Sequence, residues 1–204
     1  MLKTNNLGLV APIFLLLLFT TNIFASFVIK NDDLLPQKTV DKIDEMGKEL
    51  QEKTGVSVYI AAVKDLNGID IQQYEKSLSK SLNKPFILLT IAVNDKKIDI
   101  INSKELDNRY DKEQILSPWP WRGTILPLLT AKTKDPKANI EAALLNGYAD
   151  IVEQVANSYN VKLDSALGNQ NRIVFDILKI LFYGIIVLFA IRFIMGRFKK
   201  DAKK

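Results

Sequence analysis

Apolar residues recur at helical spacing along several segments of the chain. From Pro36 to Lys53 they form one stripe with charged residues elsewhere, which is typical of an amphipathic helix. A more polar helix is predicted from Ile71 to Leu82, and a long one begins at Pro136 and continues to Tyr159. The segments Glu105 to Leu116 and Gly123 to Ala131 are predicted as further, shorter helices.

Two apolar runs between these helices predict strands. The first, Val56 to Val63, is rich in β-branched and small apolar residues, so we expect it to be covered on both faces. The second, Phe86 to Val93, is followed by a short polar turn and then by Ile98 to Ile101, which predicts a β-hairpin. The order of elements predicts an α/β fold, a three-layer-like sandwich with helices packed on a small mixed sheet.

The stretch from Ile173 to Met195 is apolar and weakly charged, and it is long enough to cross a bilayer. Lys179 and Arg192 flank its apolar centre and can reach the lipid headgroups. One C-terminal transmembrane helix is therefore predicted over residues 173–195. A buried core helix is the alternative, because Asp176 lies in the first turn.

Three residues of this predicted helix are candidates for contacts within the membrane. Asp176 and Lys179 share one face, where they pair either with each other near the headgroups or with charges on a neighbouring membrane subunit. Gly184 would allow another helix to approach closely.

Basic residues follow the predicted span, whereas a polar segment precedes it. The polar segment, residues 161–172, is predicted to be a flexible linker, and its short length would keep the preceding domain close to the bilayer. The excess of positive charge after the span predicts that residues 196–204 form a basic cytoplasmic tail. The residues that determine this topology are Arg192, Arg197, Lys199 and Lys200.

The N-terminus has the pattern of a secretory signal peptide. Lys3 precedes an apolar region from Leu7 to Phe19, and the small residue Ala25 occupies the cleavage position. Residues 1–25 are therefore predicted to be a signal peptide, with an uncleaved anchor as the alternative because Ile23 is bulky. In both cases residues 26–160 are predicted to be one exported domain, located in the periplasm and attached to a bacterial inner membrane.

Cysteine and histidine are both absent from the sequence. Disulfides, thiolate metal sites, cysteine nucleophiles and histidine-based catalysis are therefore excluded. The net charge is +5 and the pI is near 9.2. Much of the positive excess follows Arg192, where membrane topology and anionic lipid explain it. A lipid bilayer is therefore a predicted partner, and no nucleic acid is.

Any metal in this chain would have to be held by oxygen ligands. Asp32 and Asp33 could combine with Glu105 or Asp107 to hold calcium, which needs several oxygens at close range. The alternative is that Asp32 and Asp33 cap the helix that starts near Pro36.

A second acidic stretch, Asp65 to Asp70, superficially resembles a calcium loop. It lacks the acidic spacing and the terminal glutamate of such a loop. A turn is predicted instead, because Asn67-Gly68 supplies residues that tolerate left-handed backbone angles.

The two tryptophans of the chain lie close together in a proline-rich stretch. Trp119 and Trp121 are separated by Pro120 and followed by Arg122, a combination that is typical of binding hot spots. Three interpretations remain: contact with a protein partner, contact with the bilayer, or packing of an irregular loop on the core of the domain.

Three segments together resemble the TPM domain family. They are Asp32 to Pro36, Lys53 to Ile60 and Ile87 to Ile100, and the likeness extends roughly from Val28 to Tyr159. The family includes a thylakoid lumen protein of photosystem II repair and exported bacterial proteins with one membrane anchor. Plant members are described as acid phosphatases and some relatives bind calcium. This chain has no glycine at residues 102–106, where family members have a glycine-rich turn.

The resemblance and the predicted topology lead to two hypotheses about function. The first is a membrane-tethered, non-enzymatic domain that assists assembly or maintenance of a larger inner-membrane protein complex, such as a respiratory complex, or is built into it as an accessory subunit. The alternative is a calcium-dependent exported phosphatase, which the resemblance alone implies. No catalytic residues are identified for it, and no cofactor is expected apart from calcium.

Overall fold

In the computed structural model, four strands form one mixed sheet in the order β1, β2, β3, β4. The first three strands are parallel, and the last pairs antiparallel with β3. Their bounds are Val28–Asn31 for β1, Ser57–Val63 for β2, Phe86–Ala92 for β3 and Lys97–Asn102 for β4.

The structure describes residues 26–167, 181, 183–189 and 191–192. The predicted signal peptide therefore lies outside the described residues, as does most of the predicted membrane span. Among the residues that are described, no helix is both long enough and apolar enough to cross a membrane. The predicted functional residues that fall outside the description are Asp176, Lys179, Arg197, Lys199 and Lys200.

Both central strands are completely covered. Every residue of β2 and of β3 is buried, and successive side chains of a strand point to opposite faces, so both faces of the sheet centre are packed against other parts of the chain. The predicted hairpin between β3 and β4 is confirmed, with Ala92 opposite Lys97 at the turn. The mixed sheet and the α/β class are confirmed as well.

Three helices of substantial length and two short ones surround this sheet. The helix α1 packs on β1 and β2 and along α5, while α2 packs on β3 and β4. The short helices α3 and α4 both contact α5. Their bounds are Gln37–Thr54 for α1, Ile71–Ser79 for α2, Lys112–Ile115 for α3, Leu126–Leu129 for α4 and Pro136–Ser158 for α5.

The parallel strands give the domain two distinct ends. The upper end carries the carboxyl ends of β1, β2 and β3. The lower end carries their amino ends, the carboxyl end of β4 and the C-terminus of α1. Because Thr39 binds Glu141 and Lys53 binds the Lys162 carbonyl just beyond α5, α5 runs parallel to α1 and also ends at the lower end.

The aromatic contact between α1 and α5 occurs at a glycine. The Tyr148 side chain of α5 is fully buried against Gly47 of α1, and its hydroxyl donates a hydrogen bond of 3.0 Å to the Val58 carbonyl of β2. Phe27 fills the other side of the same space and stacks on Tyr59 at a centroid distance of 5.7 Å. Only a residue without a Cβ lets both aromatic rings approach the helix backbone.

One strand was missed, and one predicted helix was wrong. The strand β1 was not predicted, because four residues with a mixed polar pattern give too short a signal. The single helix expected from Glu105 to Leu116 is instead a 3-10 turn at Lys104–Leu106 followed by the separate helix α3. The Asp111 amide donates to the Gln154 side chain of α5 (2.8 Å), and the Asp111 side chain then begins α3 by accepting from the Gln114 amide.

A change of Gly47 to alanine tests the contact between α1 and α5. The new Cβ would collide with the Tyr148 hydroxyl and lie 2.6 Å from Phe27 Cγ. We expect the overpacking to outweigh the better helix propensity of alanine and to lower the free energy of unfolding by about 2 kcal/mol. Urea denaturation of the domain measures this change.

Lys38→Ala is the matched control for that measurement. Lys38 is exposed in the first turn of the same helix, so its replacement should change the free energy of unfolding by no more than about 0.5 kcal/mol. Equal stability of the Gly47→Ala variant and the wild type would show that the two rings do not require the glycine.

Candidate functional site

Aspartates gather at the upper end of the sheet. Asp32 directly follows β1, Asp65 comes two residues after β2, and Asp95 comes three residues after β3. The carboxyl ends of parallel strands are the usual position for ligand sites in open α/β sheets. Here two of these carboxylates bind neighbouring loops: Asp32 accepts from the Lys64 amide at 2.9 Å, and Asp95 accepts from the Leu66 amide at 2.7 Å.

The expected capping of α1 by Asp32 or Asp33 is wrong. The residue before the helix is Pro36, and no side chain caps this helix end. The Asn31 side chain instead accepts from the Leu34 and Leu35 amides at 3.0 Å, which fixes the path from β1 into the helix. Asp32 points its carboxylate across to the loop after β2.

The four carboxylates proposed to bind calcium do not come together. Asp32 and Asp33 lie at the upper end, whereas Glu105 and Asp107 follow the carboxyl end of β4 at the lower end. The strand β4 alone separates these ends by about 17 Å. Within the described part of the chain, no group of three or more Asp, Glu, His or Cys side chains is arranged to hold a metal ion.

The turn predicted after β2 is confirmed. Asn67 and Gly68 both have positive φ, 51° and 80°, as the sequence indicated. Asp70 then caps α2, because its side chain accepts from the Gln72 amide at 2.9 Å.

A buried glutamate that the sequence did not single out lies under α2. Glu75 is completely buried, and it is the only fully buried residue of that helix. Among the described residues, neither of its carboxyl oxygens has a hydrogen-bond partner, and the Thr90 hydroxyl of β3 has none either. Burial without a partner is costly for a carboxylate, so this position favours the protonated acid.

The surroundings of Glu75 change its titration. Burial raises the pKa of Glu75 to about 7, and the negative charge of Asp99 adds to the increase. The nearby Thr90 hydroxyl lowers the pKa in part, although it lies outside hydrogen-bond geometry. Lys112 lowers the pKa in part, but its ammonium is already bound to Asp99 at 2.6 Å. Asp70, at the start of the helix, raises it further.

An open cleft of ≈ 730 Å³ lies beside this cluster, between the end of β4 and the end of α5. Tyr110 and Lys112 line it, and the Tyr110 hydroxyl donates to the Asn102 side chain at 2.8 Å. Burial raises the pKa of Tyr110 well above its usual value, so it stays neutral. Arg109, also in the wall, donates to the Ser158 carbonyl (3.0 Å), with its guanidinium 4.3 Å from the centre of the Tyr159 ring.

The tryptophan loop, residues 117–123, is irregular as predicted, but its rings do not pack on the core. Trp119 is 56% exposed and Trp121 is 71% exposed, which contradicts the interpretation as internal packing. The two rings stack on each other, with centroids 5.0 Å apart and an angle of 23° between their planes. The loop therefore presents a stacked pair of aromatic rings to the outside.

Hydrogen bonds hold the base of the tryptophan loop in place. The amides of Arg122 and Gly123 both donate to the Trp119 carbonyl, at 2.9 and 2.7 Å. Gln114 of α3 donates to the Arg122 carbonyl at 2.8 Å. A Cβ on Gly123 would collide with the Ser117 carbonyl, so the two ends of the loop touch.

The loop is also joined to α5. Thr124, just after it, donates to Asp150, which is buried on α5 and also accepts from the Gln154 side chain at 2.9 Å. The Arg122 guanidinium lies 4.0 Å from the Asp111 carboxylate, and both groups are exposed, so this ion pair is weak. Arg122 thus lies next to the rings with its charge largely available.

Two residues of the predicted membrane helix are within the description. Gly184 lies in a helical stretch where an added Cβ would meet no described atom within 4 Å. Arg192 is helical and exposed. Neither observation identifies a helix partner.

Comparison with known proteins gives a family-model match to part of the chain and a similar solved structure. Residues 28–117 match the family model for the TPM domain, which confirms the resemblance, although the match ends before α4 and α5. The structure is similar to the NMR structure of the BA42 protein from the psychrophilic bacterium Bizionia argentinensis, with a TM-score of 0.46 and 14% sequence identity. That match covers 68% of this chain and 97% of the other. No curated protein matches the chain.

A change of Glu75 to glutamine tests the buried acid. The folded state binds its proton more tightly than the unfolded state, so between about pH 4.5 and 7 the unfolding free energy of the wild type should fall as pH rises. Glutamine removes this dependence. Above pH 7 the variant should be more stable by roughly 2 kcal/mol, less than the full pKa change implies because the amide also lacks a partner.

Urea denaturation across this pH range measures both effects. Glu105→Gln changes an exposed glutamate three residues after the end of β4. It is the control and should leave the pH dependence unchanged. A Glu75→Gln variant with the same pH dependence as the wild type would show that Glu75 does not carry the linked proton.

Proposed function

We propose that this domain, of which residues 28–117 match the TPM family model, is tethered to a bacterial inner membrane and acts on the periplasmic side by contacting a larger membrane protein complex. It serves the assembly or maintenance of that complex, or belongs to it as an accessory subunit. The tryptophan loop makes the contact. The proposal assigns no catalytic step to the domain.

The exposed tryptophan pair is the observation that carries this proposal. Large aromatic side chains are costly to leave in water, and burying one on a partner contributes about 2 kcal/mol or more at a hot spot. Trp119 and Trp121 are stacked on a loop that is already held by α3 and α5, so binding would cost little conformational entropy. Arg122 adds a charged group that can anchor the edge of the contact.

The proposed tether rests on the apolar C-terminal segment. Its described residues, 181, 183–189 and 191–192, are helical, and their large apolar side chains are between 48% and 73% exposed. Exposed apolar surface on every described side of a helix is unfavourable in water and favourable in lipid. The basic residues after it supply the expected orientation.

Purification of the full-length protein from membranes in mild detergent tests the proposal. We expect an integral membrane complex to be recovered with it, and respiratory complexes are the first class to examine. Constant stoichiometry would identify an accessory subunit, whereas substoichiometric recovery would identify an assembly factor. Recovery of the protein alone, together with normal levels of every membrane complex in a deletion strain, would contradict the proposal.

Replacement of both tryptophans by alanine tests the role of the loop. The double variant Trp119→Ala/Trp121→Ala should reduce recovery of the partner at least about tenfold, because two hot-spot side chains are lost. Ile69→Ala, at another exposed apolar residue, is the control and should bind normally. If the double variant keeps its partner but binds less to protein-free lipid vesicles, the loop contacts the bilayer and the proposed protein contact is wrong.

A further inference from the structure

We propose that the domain is held in a fixed orientation, with its lower end toward the bilayer and its upper end away from it. The device is a strap, residues 162–165, that fastens the chain to α1 before it enters the apolar segment. This inference rests on the proposed membrane tether. It also identifies which surface of the domain faces the lipid headgroups.

The strap is bound to α1 at two points. Lys53 donates to the Lys162 carbonyl at 2.8 Å and lies 3.4 Å from the Asp164 carboxylate. One turn earlier, the Glu49 carboxylate accepts from the amides of Asp164 and Ser165, at 2.7 and 2.8 Å, and from the Ser165 hydroxyl. The first part of the predicted flexible linker is therefore fixed to the body of the domain.

Glu49 stays charged under ordinary conditions. Partial burial opposes its ionisation, but the hydrogen bonds from Lys53, Ser165 and the Asp164 amide outweigh this effect and lower its pKa to about 2. Hydrogen bonds to a charged group are stronger than those between neutral groups. The strap should thus remain bound to α1 at neutral pH. The helix α1 therefore sets the exit point, where the chain leaves the domain toward the apolar segment.

The exit point is close to the lower end, and the remaining chain is short. Lys53, which binds Lys162, lies in the last turn of α1, and Glu49, which binds Asp164 and Ser165, lies one turn earlier. The bound residues of the strap therefore stay within about 8 Å of the end of that helix, which is at the lower end. Residues 168–172 separate the described Leu167 from Ile173, the start of the apolar segment, and six peptide steps reach at most about 22 Å. A seven-residue strand such as β2 is about 20 Å long from its first to its last residue. The lower end is therefore kept near the headgroups while the upper end lies a strand length further away.

This orientation places the two candidate surfaces differently. The aspartates that follow β1, β2 and β3 point away from the membrane, into the compartment. The tryptophan loop is attached to α5 at Asp150, about 12 Å above the last residue of that helix, Ser158. From there it can contact a partner only where the partner projects above the lipid headgroups.

The absence of cysteine makes the orientation directly measurable, because any introduced cysteine is the only one. Single probes at Asn83→Cys and Lys104→Cys report the lower end, and probes at Lys64→Cys and Lys97→Cys report the upper end; all four residues are exposed. The full-length protein is reconstituted in vesicles of phosphatidylethanolamine and phosphatidylglycerol. Fluorophores on the cysteines are then quenched by lipid-attached quenchers. We expect severalfold stronger quenching at the lower positions.

Glu49→Gln tests whether the strap sets this orientation. The variant removes the charge that holds Asp164 and Ser165, so the difference in quenching between the two ends should shrink. Glu52→Gln is the control: it removes the same charge from the same helix, at an exposed residue 3.9 Å from Lys48, and should leave the difference intact. Circular dichroism of both variants confirms that the domain is folded.

The outcomes separate the orientation from the tether. Failure of the wild-type protein to float with vesicles would overturn the tether and this inference together. Flotation with equal quenching at all four probes, or stronger quenching at the upper end, would overturn the orientation alone. An unchanged difference in Glu49→Gln would show that the strap does not set it.

Discussion

The fold depends on the burial of one tyrosine between two helices and the sheet. Tyr148 reaches from α5 past Gly47 of α1, and its hydroxyl donates a hydrogen bond to the Val58 carbonyl of β2. This side chain joins three elements that are far apart in the sequence. Burial keeps the pKa of the hydroxyl well above its usual value, so the group remains a donor. The contact at Gly47 brings α1 and α5 together near their middles, and the bonds from Thr39 to Glu141 and from Lys53 to Lys162 make the two helices parallel.

Charged groups are used in two opposite ways around this core. At the lower end, Glu49 is surrounded by donors and holds the strap as a carboxylate, which suits a permanent link. Under α2, Glu75 has no such donors and is stable mainly with its proton. Since α2 is otherwise largely exposed, its attachment to β3 and β4 is sensitive to the ionisation of one residue. The domain therefore combines a strap that stays bound to α1 at neutral pH with a helix, α2, whose stability depends on pH.

The groups at the surface are also of two kinds, polar groups that are already hydrogen-bonded and aromatic rings that are exposed. The aspartates at the upper end bind neighbouring loop amides, and the polar cleft near β4 has side chains that are bonded to each other. The tryptophan loop is different, because its polar backbone is satisfied at the base while its apolar rings remain in solvent. A rigid base with an exposed apolar tip favours binding over catalysis, since it provides contact area without a reactive group.

The sequence alone determined the class of fold, the hairpin, the turn at Asn67-Gly68 and the resemblance of residues 28–117 to the TPM domain, because these depend on local periodicity and short motifs. It also determined that cysteine and histidine chemistry is excluded. It missed β1, which is too short to give a pattern, and it misjudged 105–116, where a tertiary bond from Asp111 to Gln154 interrupts the helix.

Tertiary structure alone decided which distant side chains meet. It separated Asp32 from Glu105 because strands place them at opposite ends of the sheet, and it left Trp119 and Trp121 outside the core. It also buried Glu75, although the sequence predicts a rather polar helix at this position. The physical reason is common to all three: burial and proximity depend on how elements pack, and no local pattern of residues encodes the far side of a contact.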